Sequence, residues 1–207
     1  MYLRHYKLND HEQKLVNMSR EEYTQYMLET YPDMFGDYNK SPQETCMCWG
    51  FDIGNGWYHV LDSLCAKLDA IRDATLINVK FSQIKEKFGG ACFYHYTVFP
   101  KTESEEGYLG TAKDKEDWKK YIDTWDDIIS DLIDSYESYC NHIDDITGRN
   151  CDPKDKIIIG GWYYGHTKES RLNEIKNSEM SEDEKNQHLE RLSLAMTRKE
   201  FNESNGY

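Results

Sequence analysis

The spacing of apolar residues predicts two amphipathic helices. The first begins at Trp57, where apolar side chains recur every three or four residues, as one face of an α-helix requires; they are Trp57, Val60, Leu61, Leu64, Cys65, Leu68 and Ile71. Asn55 stands at the position of an N-cap, and Gly54 and Gly56 permit a tight turn before the helix. A longer stripe from Trp118 to Cys140 predicts a helix of about six turns.

Between these helices the hydrophobic period changes to two, which predicts a β-hairpin. Apolar and polar residues alternate over residues 77–82 and again over 91–98, as in strands with one buried face. Gly89-Gly90 precedes the second strand and can adopt the positive φ of a hairpin turn. A short apolar run, Ile157-Ile158-Ile159, predicts a third strand.

Two capping boxes, in which a serine is followed three residues later by a glutamate, predict further helices after Ser19 and Ser181. Together these elements predict an α+β fold. A small antiparallel sheet, formed by the hairpin and the short third strand, packs against two or three helices, with a peripheral C-terminal helix. We expect a single α+β domain over residues 1–175 and a C-terminal helical extension over 176–207 with a frayed tail.

The charge pattern adds a candidate binding surface. The net charge is −13, and the segment from Tyr121 to Asp145 contains eight acidic residues and no Lys or Arg. Because the apolar stripe of the long helix packs inward, we expect its acidic residues to face solvent, namely Asp123, Asp126, Asp127, Asp131 and Asp134. This face suits a partner protein with a basic surface, and it does not suit direct nucleic-acid binding. The alternative is a solvated face that contributes only to solubility.

Membrane insertion and export are not indicated. No segment approaches the roughly 20 apolar residues of a membrane span, and Met1 to Val16 lacks the apolar stretch of a signal peptide. We therefore expect a cytoplasmic protein whose six cysteines are reduced. Cys46-Met47-Cys48 lacks the Cys-x-x-Cys spacing of a redox or zinc site.

No set of residues with catalytic spacing is recognisable. His59 and His95 are suited to proton transfer, but neither has a carboxylate or nucleophile partner in the sequence, which favours surface or packed histidines. The Gly54-Asn55-Gly56 turn could approach a phosphate, although it lacks the Lys-Ser/Thr ending of a P-loop. We expect a non-enzymatic protein without a cofactor. A small-ligand or nucleotide-binding protein (a sponge or a hydrolase) that uses this turn and His59 is the alternative.

Three motifs in a fixed order resemble an uncharacterised family of small tailed-bacteriophage proteins. The motifs are Tyr31-Pro32-Asp33-Met34-Phe35, Gly50-Phe51 with Gly56-Trp57, and Lys85-Glu86-Lys87-Phe88-Gly89. The resemblance implies a phage gene product in the cytoplasm of an infected bacterial host, and it implies no reaction. Together with the acidic helix it leads to the hypothesis of an accessory protein that binds a host bacterial protein, for counter-defence or host takeover.

Members of this family often carry a paired-cysteine, zinc-like element after the long helix. At the corresponding place this chain has Cys140, His142, Cys151 and His166, which could supply two thiolates and two imidazoles to zinc. The Cys-x-His spacing is shorter than that of the usual zinc knuckle, so we predict no metal site. A zinc-stabilised structural module is the remaining alternative.

Overall fold

The predicted α+β class is confirmed by a computed structural model that describes residues 7–35, 51–100 and 115–206. In these ranges helices surround two small three-stranded sheets. The helices are α1 (Asp10–Val16), α2 (Arg20–Thr30), α3 (Pro32–Phe35), α4 (Tyr58–Thr75), α5 (Lys115–Cys140), α6 (Lys168–Asn177), α7 (Glu182–Ser193) and α8 (Arg198–Ser204). The strands are β1 (Phe51–Asp52), β2 (Asn78–Lys87), β3 (Gly90–Val98), β4 (Lys156–Ile159), β5 (Trp162–Thr167) and β6 (Met196–Thr197).

The first sheet contains the predicted hairpin, but its turn lies one residue earlier than the glycine pair suggested. Lys87 pairs with Gly90, so Phe88 and Gly89 are the two turn residues, with φ of 52° and 70°. Positive φ at both central positions is the requirement of a type I′ turn, which matches the twist of the strands. Gly90 belongs to β3. On the other side of β2, the short β1 pairs in the parallel direction.

Helix α4 carries the apolar stripe that its sequence predicts. Its start differs from the prediction, because Asn55 does not cap it: the Asn55 side chain donates to the Met18 carbonyl at 2.7 Å. Residues 55–57 instead form one 3₁₀ turn, and Trp57 precedes the first residue of α4. The helix ends at Thr75, and the next residue, Leu76, has the left-handed φ of 62°.

The main hydrophobic core lies where α2, α4 and α5 meet the first sheet. Tyr23 and Tyr58 stack there with their ring centroids 3.7 Å apart. Helix α5 contributes Ile129 and Ile133, both fully buried. Of the other residues that the stripe places inward, Ile122, Trp125 and Tyr136 are half-buried. Ile128 and Tyr139 were also expected to face inward, but they are exposed. The apolar stripe of α5 thus packs inward mainly through Ile129 and Ile133, and the opposite face of the helix is exposed to solvent.

The predicted third strand exists as β4, but it lies in a separate sheet with β5 and β6. The reason is local, because Gly160 and Gly161 have φ of 57° and 82° and turn the chain straight back into β5. A second apolar cluster forms under this sheet from Ile157, Ile175 and Leu192. The helix predicted after Ser181 ends at Ser193, so Met196 lies outside it, in β6.

The capping boxes at Ser19 and Ser181 are both present, with reciprocal bonds to Glu22 and Glu184. The proposed boundary at residue 175 stays a prediction. Among the helices of the described ranges, none has a stretch long and apolar enough to cross a membrane.

Candidate functional site

The acidic face of α5 has the exposure that the sequence predicts. All five of its aspartates are solvent-exposed; they are Asp123, Asp126, Asp127, Asp131 and Asp134. Over the three described ranges, none of them makes a hydrogen bond or a salt bridge. Their charge is therefore directed to solvent and is not neutralised within the fold. We refer to these five residues as the acidic face.

A cleft of about 380 Å³ adjoins the C-terminal half of α5. Helix α5 supplies Ser135, Tyr136 and Tyr139, whereas α1 supplies Glu12 and α4 supplies the opposite wall. We call this the His59 cleft, because His59 lies among its lining residues on α4. The cleft and the acidic face thus share one helix.

The His59 side chain is buried but has no hydrogen-bond partner. It is 5 % exposed, and neither ring nitrogen has a partner in the part of the chain that the structure describes. Burial lowers the pKa of His59, which keeps the imidazole neutral with one donor and one acceptor unused. The charge of Glu12 and the backbone of Gly56 favour the protonated ring and so act against the effect of burial on its pKa. The sequence favoured an ordinary surface or packed histidine at this position.

Asp62 positions the same stretch of α4. Its carboxylate accepts hydrogen bonds from the hydroxyls of Tyr26 and Tyr31, at 2.9 and 3.0 Å, and lies 3.0 Å from Nε2 of His11. These contacts hold α1 and α2 against α4, one turn beyond His59. Asp62 is satisfied within the fold, and we assign it a structural role.

The Gly54–Gly56 turn packs against the backbone that follows α5. A Cβ atom on Gly54 would lie 2.3 Å from the Asp145 carbonyl oxygen, and one on Gly56 would lie 2.3 Å from that of Asp144. The Gly56 amide donates to the Asp145 carbonyl at 2.8 Å. The glycines therefore permit close backbone approach, and the Gly56 amide is already used within the fold.

Asp144 and Asp145 form a buried polar network that sequence reasoning missed. Asp144 accepts bonds from the Thr147 amide at 3.0 Å and from the Ser170 hydroxyl at 2.6 Å. Asp145 Oδ1 lies 2.9 Å from Nδ1 of His166. The network joins the loop after α5 to β5 and α6. The only sequence signal is a pair of adjacent carboxylates directly after Ile143.

The four residues considered for zinc have other surroundings. Lys156 places its ammonium 3.1 Å from the Cys140 carbonyl. Burial raises the pKa of the Cys140 thiol, and it raises that of Cys151 to about 12, so both stay protonated. His166 contacts Asp145, and no group of three His, Cys, Asp or Glu in the described ranges is placed to hold a metal.

His95 and the Cys46-Met47-Cys48 segment are the remaining candidates from the sequence. His95 is half-buried, and its Nδ1 lies 3.1 Å from the Phe93 carbonyl. Cys46 and Cys48 lie outside the described residues.

Comparisons with known proteins give no match: no family model, no curated protein and no solved structure is similar to this chain. The resemblance to the tailed-bacteriophage family therefore stays an expectation from the motifs.

Proposed function

We propose that this protein is a non-enzymatic bacteriophage accessory protein that binds a host protein through the acidic face of α5 and the adjoining His59 cleft. The observation that carries the proposal is His59, a buried side chain with no hydrogen-bond partner that lines this cleft. An unsatisfied buried polar group costs free energy. A partner that supplies the missing hydrogen bond recovers this free energy on binding.

The acidic face determines the kind of partner. Its five exposed carboxylates have no neutralising contact in the described fold, so they attract a basic protein surface. Complementary charges accelerate association, and added salt screens this effect. The same charge disfavours direct nucleic-acid binding, which requires a basic surface.

The His59 cleft supplies the anchor of the interface. A lysine or arginine side chain of the partner can donate to the hydroxyl of Ser63 at the cleft. It reaches the acceptor nitrogen of neutral His59 only when the side chains that cover the ring move, because both ring nitrogens are buried. Lys67 also lines the cleft, and its ammonium lies over the Tyr136 ring, 5.0 Å from the centroid. A side chain desolvated in a pocket typically contributes much of the binding free energy of an interface.

The test begins with affinity purification from infected bacterial cells, using the wild-type protein and two charge variants. The first variant combines Asp126→Asn, Asp127→Asn and Asp131→Asn. The matched control combines Glu179→Gln, Glu190→Gln and Glu203→Gln, which removes the same charge from exposed positions elsewhere. We expect a basic protein that the wild type and the control retain and that the first variant loses.

Association kinetics with the purified partner then test the two parts of the interface separately. Because exposed charges act mainly on association, the Asp variant should lower the association rate, most strongly at low salt. His59→Phe should instead raise the dissociation rate, because it removes the hydrogen-bonding group of the anchor. Equal association rates for the wild type and the Asp variant at low salt would contradict the role of the acidic face. An unchanged dissociation rate for His59→Phe would contradict the role of the cleft.

A further inference from the structure

A second and larger cleft, of about 920 Å³, lies between the turns of the two hairpins. One wall is the β2–β3 turn with Phe88, and the other contains the β4–β5 turn and Trp162. The Arg198 guanidinium fixes the two walls to each other. Its Nη2 atom lies 3.0 Å from the Gly89 carbonyl of the first hairpin and 3.4 Å from the Tyr164 carbonyl of the second. We call this the hairpin cleft.

Two large aromatic side chains are exposed at the hairpin cleft. Phe88 is 75 % exposed and Trp162 is 73 % exposed. Phe88 also occupies a left-handed position that glycine or asparagine usually takes in a type I′ turn. Left-handed residues other than glycine cluster at functional sites. The exposed ring faces of these residues are therefore suited to stacking against a flat ligand.

The charge at this cleft is opposite to that of the whole chain. Lys87 and Arg191 line the cleft, and neither makes a salt bridge in the described ranges. The Lys87 ammonium lies 5.8 Å from the centre of the Phe88 ring, and Arg191 donates to the Tyr164 hydroxyl at 2.9 Å. The Lys87 ammonium and the Arg191 guanidinium thus each lie beside an aromatic ring. Their remaining N–H groups can donate hydrogen bonds to an anion.

One carboxyl group, that of Glu86, also lines the hairpin cleft. Burial, and next the charge of Asp145, raise the pKa of Glu86 to about 7. Near neutral pH this carboxyl is therefore protonated in part of the molecules, so it offers a donor as well as an acceptor. It is suited to the polar edge of a heterocyclic base.

We propose that the hairpin cleft binds a nucleoside phosphate, whose base stacks on Trp162 and Phe88 while its phosphate contacts Arg191 and Lys87. Base–aromatic stacking tolerates different bases, because every base has a π-face. We expect a single nucleotide and not a nucleic-acid strand. The protein has a net charge of −13, so it would repel each further phosphate of a strand. The hairpin cleft shares no lining residue with the His59 cleft beside α5.

Isothermal titration calorimetry with AMP, GMP, CMP and UMP tests the proposal. We expect one site per chain for at least one of them. Uridine or adenosine, which lack the phosphate, and ribose 5-phosphate, which lacks the base, should each bind about tenfold more weakly or worse. Trp162→Ala and Arg191→Ala should each lower the affinity by about tenfold or more. Leu194→Ala, which alters a side chain that is 71 % exposed and does not line this cleft, serves as the control.

Phe88→Gly distinguishes a ligand-binding role from a structural one. Glycine relieves the left-handed strain, so the melting temperature should rise, while the loss of the ring should lower nucleotide affinity. A purely structural Phe88 would leave the affinity unchanged. The proposal is overturned if no mononucleotide binds below about 10 mM, or if Trp162→Ala and Arg191→Ala bind as the wild type does. Preferential binding of an acidic peptide or an oligonucleotide would equally overturn it.

Discussion

The indole Nε1 of Trp57 donates a hydrogen bond to the carbonyl of Ile143 at 3.0 Å, and both residues are fully buried. The contact joins the start of α4 to the loop that leaves α5, across 86 residues of sequence. Gly165 of β5 closes over the same ring, because a Cβ atom there would lie 2.7 Å from two of its carbon atoms. Trp57 therefore connects the main core to the second sheet.

The first prediction concerns this ring. Trp57→Ala should reduce the free energy of unfolding by about 3–5 kcal/mol, as large aromatic truncations in cores do. Trp162→Ala is the matched control, because Trp162 is largely exposed, and we expect a change within about 0.5 kcal/mol. Equilibrium urea denaturation measures both. Equal effects of the two substitutions would contradict the assignment of Trp57 to the core.

The second prediction concerns the close approach of Gly165 to Trp57. Gly165→Ala should destabilise the protein by about 3 kcal/mol or more, because its methyl group would overlap a buried ring and Oδ2 of Asp145. Gly160→Ala should cost only about 1–2 kcal/mol, the cost of a left-handed alanine, since no atom lies within 4 Å of its added Cβ. Equilibrium denaturation measures the free energy of unfolding of both variants. Equal losses for Gly165→Ala and Gly160→Ala would contradict the steric argument.

The third prediction concerns the end of α4. Leu76 is 66 % exposed and has φ of 62°, a conformation that costs leucine about 1–2 kcal/mol. Leu76→Gly should therefore stabilise the protein by about 0.5–1 kcal/mol, after allowance for the greater entropy of glycine in the unfolded chain. Leu76→Ala retains the Cβ atom and should give no such gain. A thermal melt of both variants decides the point, and an equal gain from alanine would rule out backbone strain as the cause.

The fourth prediction follows from the raised pKa of Glu86, about 7 in the folded protein against 4.5 as its ordinary value. The folded state holds the Glu86 proton more tightly than the unfolded state does. The stability that this proton contributes is therefore fully present below the ordinary pKa of 4.5, and it is lost as the pH rises through the folded-state pKa of about 7. Glu86→Gln stays neutral throughout. Its melting temperature relative to wild type should rise between about pH 4 and about pH 8. A constant difference across this range would show that Glu86 titrates normally.

The fifth prediction concerns the stability effect of the acidic face. The aspartates at 123, 127 and 131 are spaced four residues apart on α5, where like charges repel by a few tenths of a kcal/mol per pair. The Asp126→Asn, Asp127→Asn, Asp131→Asn variant should thus gain less than about 1 kcal/mol of stability. Chemical denaturation at low and high salt measures the gain, which should shrink as salt screens the charges. A loss of stability would mean that these carboxylates make contacts that hold the fold together.

The sequence by itself determined the local elements of this fold. The stripes of α4 and α5, the alternation in β2 and β3, and the capping boxes at Ser19 and Ser181 are all present in the structure. Each depends on interactions within about one turn of helix or one pair of strand positions, so a short window contains the information. Solvent exposure of the acidic face followed from the same periodicity.

Tertiary structure decided the features that depend on contacts between distant segments. The sequence suggested a hairpin turn at Gly89-Gly90. In the structure Lys87 pairs with Gly90, which places Phe88 and Gly89 in the turn. Ile157 to Ile159 formed a strand in a second sheet, because the Gly160-Gly161 turn provided β5 as its neighbour. A buried histidine without a partner, such as His59, cannot be recognised from sequence spacing, since its burial depends on side chains from several helices. The clefts beside α5 and between the hairpins exist only where such distant segments meet.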